Sequence, residues 1–197
     1  RSGPVAESGC GMMNSVLVID KPAGMTSFDV VRMVRTSLGA EKAGHAGTLD
    51  PLATGVLTLM VNEAVKLTRF FEGHDKEYRA TLRLGVETDT LDREGSVIIE
   101  RPVNLSAAEI RQAVSEFAGD IEQTVPRYSA VKMQGRPLYY WTRKGVSVAP
   151  PRRNVTIHHI TIESINLPEV TLLVGCSKGT YIRTLCSDIG NRLGCGA

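Results

Sequence analysis

Residues 44–55, GHAGTLDPLATG, are the most unusual part of the sequence, and they lead directly into the apolar run Gly55–Val61, GVLTLMV. Three glycines and a proline in twelve residues predict an irregular, closely packed loop. The apolar run predicts a buried strand. Asp50 stands inside the loop, directly before Pro51, where a carboxylate is poorly placed for a solvated surface. Taken alone, this pattern fits either a functional acid or an aspartate that caps a turn before proline.

The segment before this loop predicts a strand followed by a helix. A short apolar run, VLVID at 16–20, ends at Lys21-Pro22, which indicates a strand that runs into a turn. Thr26 and Asp29 have the spacing of a capping box, so a helix is expected to begin there and to end before Gly39. The apolar residues expected on its buried face are Phe28, Val30, Val31, Val34 and Leu38.

The remaining chain predicts an irregular alternation of helices and strands. The apolar phase slips near His158-His159, which predicts a bulge and places both histidines on a strand surface. No repeat and no nucleotide-binding glycine motif is present, so the order favours an α+β fold with a mixed sheet. The predicted elements are a helix at 63–71, a strand at 78–84, a helix capped by Ser106 and Glu109, strands at 155–163 and 170–176, and a helix from about Thr180.

Composition narrows the class of protein. With 42% apolar and 22% charged residues, the 197-residue chain is expected to fold rather than to be disordered. Its apolar runs stay below the roughly 18 residues that a membrane-spanning helix needs, so we expect a cytoplasmic protein with no membrane partner. The four cysteines form no C-x-x-C pair and the four histidines no H-E-x-x-H pattern, so we expect no metal site and a reducing compartment.

Residues 85–95 form an acidic loop rich in turn residues. Such a loop could in principle hold a divalent cation, but its spacing does not match that of an EF-hand. We therefore interpret it as a solvated loop. Its acids are Glu87, Asp89, Asp92 and Glu94.

Residues 122–153 hold most of the positive charge. They include seven basic residues and one acid, so they carry +6 while the rest of the chain carries −4. They also hold four of the six tyrosine and tryptophan residues. Basic groups neutralise phosphates and rings stack on unpaired bases, which favours a nucleic-acid surface. A solvated face with a few rings in the core explains the composition equally well.

Five segments, in order, resemble motifs of the TruB family of tRNA pseudouridine synthases. GHAGTLDPLATGVL at 44–57 resembles the catalytic loop of that family. The similarity extends from about Val16 to the last residue and implies the pseudouridine synthase fold: α+β, with a mixed, largely antiparallel sheet flanked by helices and an RNA-binding cleft. The other four segments are DKPAGMTSFDVV at 20–31, KEYRATLRLGVETDTLDREG at 76–95, VPRYSAVKMQGRPLY at 125–139 and CSKGTYIRTLCSDIGNRLGCGA at 176–197.

The resemblance implies an enzyme that isomerises uridine 55 in the T-loop of tRNA to pseudouridine without a cofactor. The base is detached from C1′, turned and rejoined through C5. Asp50 matches the family's nucleophile, and Arg183 matches the arginine that pairs with that aspartate. Tyr78 matches the tyrosine placed against the target base. Attack on the sugar, attack on the base and stabilisation of charge at C1′ all remain open for Asp50.

The resemblance also implies residues that contact RNA. His45 matches the histidine near the displaced base, since the uridine must be flipped out; a histidine hydrogen-bonded inside a glycine turn is an equally good interpretation. Tyr181 is assigned to the pocket wall and Lys21 to substrate binding. Residues 122–153 resemble an RNA-clasping insertion, which we call the clasp, although Tyr140-Trp141-Thr142 departs from the usual family pattern. Its expected phosphate contacts are Lys132, Arg136, Arg143 and Lys144.

The implied organisation is an N-terminal extension at 1–13 and a catalytic domain at 14–197, with the family's C-terminal PUA-type domain absent. We expect a monomer whose partner is the T-arm of tRNA. Two other functions are compatible with parts of the sequence. One is an RNA-binding module that keeps the fold without catalysis, and the other is a metal-dependent nuclease or phosphotransferase that uses Asp50 with Asp89 and Asp92.

Overall fold

The computed structural model describes residues 13–197, so the predicted extension at 1–13 lies outside the described residues except for Met13. The chain folds into two compact units, the first ending at His74 and the second spanning Asp75–Ala197. Across the described residues, no helix has both the length and the apolar character needed to cross a membrane.

The first unit is built on a small antiparallel sheet. Its described elements are β1 (Ser15–Lys21), α1 (Ser27–Ser37), β2 (Ala43–Ala46), β3 (Gly55–Val61), a 3-10 helix (Asn62–Leu67) and α2 (Thr68–Phe71). β3 lies between β1 and β2 and pairs antiparallel with both. The predicted strands before and after the glycine-rich loop are therefore confirmed.

β3 is apolar throughout because both of its faces are covered. Leu57 and Leu59 are buried in one cluster with Val30 and Val31 of α1. Met60, whose side chain points to the opposite face, is buried in a second cluster with Ala46 and Ala64. Each fully buried leucine contributes roughly 1.5–3 kcal/mol to folding, so the strand that follows the loop is a firm support for it.

The capping box of α1 is confirmed, but its predicted apolar face is too wide. Thr26 Oγ1 accepts the N–H of Asp29 at 3.1 Å, and Asp29 Oδ2 accepts the N–H of Thr26 at 3.1 Å. Phe28 is 68% exposed, because it lies about 100° around the helix from buried Ser27. Leu38 is the C-cap and is 40% exposed, since the helix ends there.

The predicted continuous helix at 63–71 is wrong. The segment forms the 3-10 helix and then the single turn of α2, and no side chain caps either piece. The β-branched residues Val65 and Thr68 lie where the two meet, and such side chains lose rotamer freedom in a helix.

The second unit is built on a four-stranded antiparallel sheet in the order β4-β11-β10-β7, with two short hairpins, β5-β6 and β8-β9. The predicted strands at 78–84, 155–163 and 170–176 are confirmed. Its described elements are β4 (Lys76–Arg83), β5 (Val86–Thr88), β6 (Val97–Glu100), α3 (Ala107–Ser115), β7 (Gly119–Thr124), β8 (Lys132–Met133), β9 (Arg136–Pro137), α4 (Leu138–Arg143), β10 (Arg152–Asn166), β11 (Glu169–Cys176) and α5 (Ile182–Arg192).

The core of this unit lies between the sheet and the two longer helices. Ile110 and Val114 of α3 and Leu185 and Ile189 of α5 pack with buried strand residues such as Leu172. The capping box of α3 is confirmed: Ser106 Oγ accepts the N–H of Glu109, and a Glu109 carboxylate oxygen accepts the N–H of Ser106. The α+β architecture with largely antiparallel sheets agrees with the sequence prediction.

The predicted bulge in β10 is present. The register against β11 shifts between Ile157 and His159. His159 Nε2 lies 3.0 Å from Glu77 Oε2, two strands away, and its ring lies across Gly175, where a Cβ would come within 2.1 Å of it. His158 pairs in the same way with Asp75 at 3.0 Å. Both histidines are exposed strand residues, as predicted.

Candidate active site

The loop that carries Asp50 is held on both sides of this residue. Buried Ser27, the first residue of α1, donates its hydroxyl to the carbonyl of Leu49 at 3.1 Å and accepts the N–H of Leu49 at 3.0 Å. On the other side, the carbonyl of Pro51 accepts the N–H of Gly24 at 2.9 Å. Residues 44–46 of the predicted irregular loop belong to β2 instead, and Gly47 and Gly55 bound the rest of the loop with φ of 93° and 108°, a region that favours glycine. Half-buried Asp50 is therefore presented by a constrained backbone.

Lys21 is part of this support. Its side chain is fully buried, and its ammonium donates to the carbonyls of Pro22 at 2.8 Å, Met25 at 2.7 Å and Pro51 at 3.1 Å. An ammonium has three protons, and here carbonyl groups accept them in the interior. Lys21 thus positions the backbone beside Asp50, and its role in substrate binding stays a prediction.

Replacing Lys21 with Met is expected to destabilise the chain by about 2–4 kcal/mol, because buried carbonyls lose a charged donor. Urea unfolding measures this loss. The matched variant Lys42→Met changes an exposed lysine of the same unit and should stay within about 0.5 kcal/mol of the wild type. Equal stabilities for the two variants would contradict the supporting role of Lys21.

His45 occupies β2 opposite Leu59 of β3. Its Nδ1–H donates to the carbonyl of Gly47 at 2.8 Å, since a carbonyl can only accept. The histidine is therefore hydrogen-bonded in the glycine turn, which is one of its two interpretations, and a neutral ring in this tautomer has Nε2 as its acceptor. Contact with a displaced base stays a prediction.

Arg183 lies in the first turn of α5, in the second unit, and its side chain is only 12% exposed. One terminal nitrogen donates to the carbonyl of Thr90 at 2.9 Å and the other to the carbonyl of Tyr128 at 3.1 Å. The first nitrogen also lies 3.6 Å from Asp92 Oδ2. The planar guanidinium therefore joins the acidic loop to the start of the clasp, a geometry that suits arginine and not lysine.

The acidic loop is not simply solvated, which corrects its interpretation. Asp92 is 14% exposed in its side chain and faces Arg183. Its other oxygen accepts the Thr90 hydroxyl at 2.7 Å and the N–H of Glu94 at 3.0 Å. Asp89 accepts the N–H of Ser96 at 2.8 Å. In residues 13–197, no three His, Cys, Asp or Glu side chains are grouped so that they could hold a metal ion.

Gln123 fixes the start of α5, although no pattern in the sequence points to this role. This residue of β7 is 1% exposed. Its side-chain amide accepts the N–H of Tyr181 at 3.0 Å and donates to the carbonyl of Tyr181 at 3.2 Å. The structure thus holds the Tyr181 backbone next to Arg183, while the contribution of the half-buried Tyr181 ring to a pocket wall stays a prediction.

Tyr78 lies in β4, opposite Val174 of β11. Its half-buried ring packs against the apolar cluster that includes Leu172 and Leu185. Packing of this kind restricts the ring and directs its hydroxyl along a fixed line.

The predicted phosphate contacts of the clasp are all exposed, and they lie on the hairpin β8-β9, on α4 and directly after α4. Leu138, the first residue of α4, is 1% exposed and anchors this helix. The exposed cations are Lys132, Arg136, Arg143 and Lys144.

The cysteines at 176, 186 and 195 are free thiols. Burial raises the pKa of Cys186 to about 12, which makes this thiol a poor nucleophile at neutral pH.

The chain is similar in sequence to known proteins over most of its length. The family model described as TruB family pseudouridylate synthase (N terminal domain) matches residues 35–182. The tRNA pseudouridine synthase B of Syntrophus aciditrophicus (strain SB) is 57% identical over 94% of this chain and 59% of its own length. That of Clostridium kluyveri is 52% identical over 93% of this chain and 64% of its own length. The chain thus spans about three fifths of these curated relatives.

Solved structures give the same result for the fold. A Cbf5-Nop10-Gar1 complex contains a chain with a TM-score of 0.71 and 32% identity, over 92% of this chain and 45% of that one. An H/ACA RNP bound to a substrate RNA containing 2′-deoxyuridine contains a chain with a TM-score of 0.68 and 29% identity, over 92% of this chain and 43% of that one. With a family model that covers most of its length and relatives more than half identical to it, this chain belongs to the TruB family of pseudouridylate synthases.

Proposed function

We propose that the chain converts a uridine of tRNA, the one numbered 55 in the T-loop, to pseudouridine. Relatives named tRNA pseudouridine synthase B support a tRNA substrate. The observation that carries the proposal is the loop of Asp50, whose backbone is fixed by buried Ser27 before it and buried Lys21 after it. A carboxylate on such a support is held ready for attack on a bound nucleotide.

The proposed chemistry needs one nucleophile, the loss of a proton from C5 and the gain of a proton at the freed nitrogen. The bond between C1′ and the base nitrogen breaks, the base turns, and a new bond forms between C1′ and C5. The proton on C5 then leaves, and a proton returns to the freed nitrogen, so reactant and product have the same composition. Asp50 is the proposed nucleophile, and the isomerisation requires no cofactor because nothing is oxidised or transferred.

RNA binding is proposed to rest on the clasp and on the target base being flipped out. Flipping costs a few kcal/mol of stacking, which contacts to the RNA must offset. Exposed cations of the clasp supply phosphate contacts, while the folded shape of the T-arm selects the target. His45 is proposed to occupy the space near the displaced base.

We propose that the protein acts as a monomer in the cytoplasm.

The direct test incubates the chain with an unmodified tRNA transcript and maps pseudouridine at nucleotide resolution. Product is expected at the T-loop uridine, with intact RNA and in the presence of EDTA. Binding without conversion would favour the RNA-binding module, and strand cleavage that EDTA abolishes would favour the metal-dependent nuclease. Product at a different uridine would contradict the proposed position.

We propose that the Tyr78 ring stacks on the target base and that its phenol serves proton transfer at C5, and Tyr78→Phe separates these two functions. The ring remains, so stacking worth about 1–3 kcal/mol per base should survive and tRNA affinity should barely change. Loss of the phenol should slow single-turnover product formation by about a hundredfold to ten-thousandfold, because C5 must lose its proton. Tyr78→Leu is the paired variant and should lose affinity as well as rate. A normal rate for Tyr78→Phe would leave the tyrosine with stacking alone.

A further inference from the structure

Two exposed arginines of the clasp lie over tyrosine rings of α4. The guanidinium carbon of Arg136 is 5.6 Å from the ring centroid of Tyr140. That of Arg143 is 5.5 Å from the ring centroid of Tyr139. Both distances fall within the range of a cation–π contact. The two rings are themselves 37% and 40% exposed, so each arginine is held at the surface.

Carboxylates pair with other exposed arginines of the chain. Arg152 contacts Glu122 at 2.7 Å, Arg79 contacts Glu163 at 2.7 Å and Arg192 contacts Glu116 at 2.6 Å. A carboxylate neutralises the charge of its partner, whereas a ring holds the cation and leaves the charge in place. The N–H groups at the edge of a stacked guanidinium also stay directed outward, where they can meet a phosphate. From residue 123 to residue 162 the sequence contains no acid at all.

Trp141 fixes the helix that carries both tyrosines. Its indole N–H donates to the carbonyl of Met133 at 3.0 Å, and its ring meets that of Tyr140 edge to face at 5.2 Å. Between β8 and β9, Gln134 and Gly135 both have positive φ, of 51° and 76°, as in a tight type I′ hairpin turn. The hairpin and α4 are therefore joined by the Trp141 hydrogen bond as well as by the peptide bond between Pro137 and Leu138.

We propose that Tyr140 and Tyr139 position Arg136 and Arg143 for two phosphates of the bound RNA, and that Trp141 holds this helix against the hairpin. The inference rests on the proposed function, since it takes RNA as the ligand. It deepens that proposal by adding three aromatic residues whose task is to orient cations rather than to stack on bases.

A double-mutant cycle on Arg136 and Tyr140 tests the inference, with binding to an unmodified tRNA transcript measured over a range of salt. Tyr140→Leu should weaken binding about two- to fivefold, the range of an exposed cation–π contact. Arg136→Gln should also lower the slope of log K against log salt by slightly less than about one unit, as expected for one lost phosphate contact. The double variant should bind no more weakly than Arg136→Gln alone. Additive losses would overturn the positioning role.

Conservative variants and a control residue complete this test. Tyr140→Phe keeps the ring and should bind like the wild type, and a loss equal to that of Tyr140→Leu would place the effect in the hydroxyl and overturn the proposal. Arg111→Gln changes an exposed arginine of α3 and should leave the salt slope unchanged. Tyr139→Leu with Arg143→Gln forms a second, independent cycle with the same expectation.

Trp141 is the single tryptophan of the chain, so its fluorescence reports on the clasp alone. An unchanged emission maximum in Tyr140→Leu would show that the helix keeps its place, and a shift to the emission of a solvated indole would overturn the positioning role. Trp141→Phe keeps a ring but loses the N–H donor. Faster trypsin cleavage after Lys132 and weaker RNA binding are expected for this variant, and unchanged cleavage would overturn the role of Trp141.

Failure of this inference can be told apart from failure of the proposed function. The cycles measure binding and need no turnover. RNA binding with coupled losses but without conversion would contradict the proposed isomerisation and leave the inference standing. Conversion of the tRNA together with additive losses of affinity would support the isomerisation and contradict the inference. If the wild-type chain did not bind the transcript, both would fall.

Discussion

Asp50→Asn is expected to abolish pseudouridine formation, with a fall of at least about a thousandfold in the single-turnover rate. The amide has nearly the shape of the carboxylate but is neither an anion nor a nucleophile. The loop should keep its structure, because the supporting contacts involve backbone groups of Leu49 and Pro51. The affinity for an unmodified tRNA transcript should therefore change by no more than about a factor of three, far less than the rate.

A matched variant makes this result specific. Asp20→Asn removes an exposed carboxylate from the end of β1, in the same unit, and should convert tRNA at close to the wild-type rate. Product formation by Asp50→Asn above a few per cent of wild type would contradict the nucleophile assignment. An equal loss in both variants would point to a general effect of charge.

Arg183→Lys is expected to have the second largest effect, on stability as well as on rate. The guanidinium reaches the carbonyls of Thr90 and Tyr128 from two separate nitrogens, at 2.9 and 3.1 Å, and the single nitrogen of a lysine cannot take both positions. We expect a loss of about 1–3 kcal/mol in the free energy of unfolding, since a buried acceptor loses its donor. The rate of product formation should fall by roughly a hundredfold or more, because the side chain proposed to act in catalysis is no longer held.

The same helix offers the control. Arg192→Lys changes an exposed arginine of α5 that is paired with Glu116, and a surface pair of this kind contributes no more than about 1 kcal/mol. Urea unfolding and single-turnover conversion of the two variants would be compared. If Arg183→Lys were as stable and as fast as Arg192→Lys, the contacts of Arg183 with Thr90, Tyr128 and Asp92 would be without consequence.

The first turns of helices can be predicted well because their signals are local. Thr26 with Asp29 and Ser106 with Glu109 satisfy their own backbone groups within four residues, so the spacing alone is enough. The outward position of Phe28 cannot be predicted in this way. The buried side of a helix is chosen by the strand against which it packs, here β3 with Leu57 and Leu59.

Individual site residues can be predicted from matching motifs, and their partners cannot. Arg183 is expected from its motif, but its contacts with Thr90 and Tyr128 join positions 93 and 55 residues away in the chain. Gln123 resembles an ordinary polar strand residue in the sequence, and only the pairing of β7 with β10 brings it to the start of α5. The burial of Lys21 cannot be predicted from the sequence, because a lysine is almost always exposed unless partners in the interior accept its protons.

Apolar periodicity, local capping and ordered motifs are enough to establish the class of fold, the strands around the glycine-rich loop, the capped helices and the family from the amino-acid sequence. Only the tertiary structure decides which polar side chains are buried and which groups they contact. Ser27 and Lys21 bind the backbone of the loop that carries Asp50, and Asp92 faces Arg183. A buried donor or acceptor must find a partner, and this partner is supplied by whichever segment folding brings close, which residue spacing does not encode.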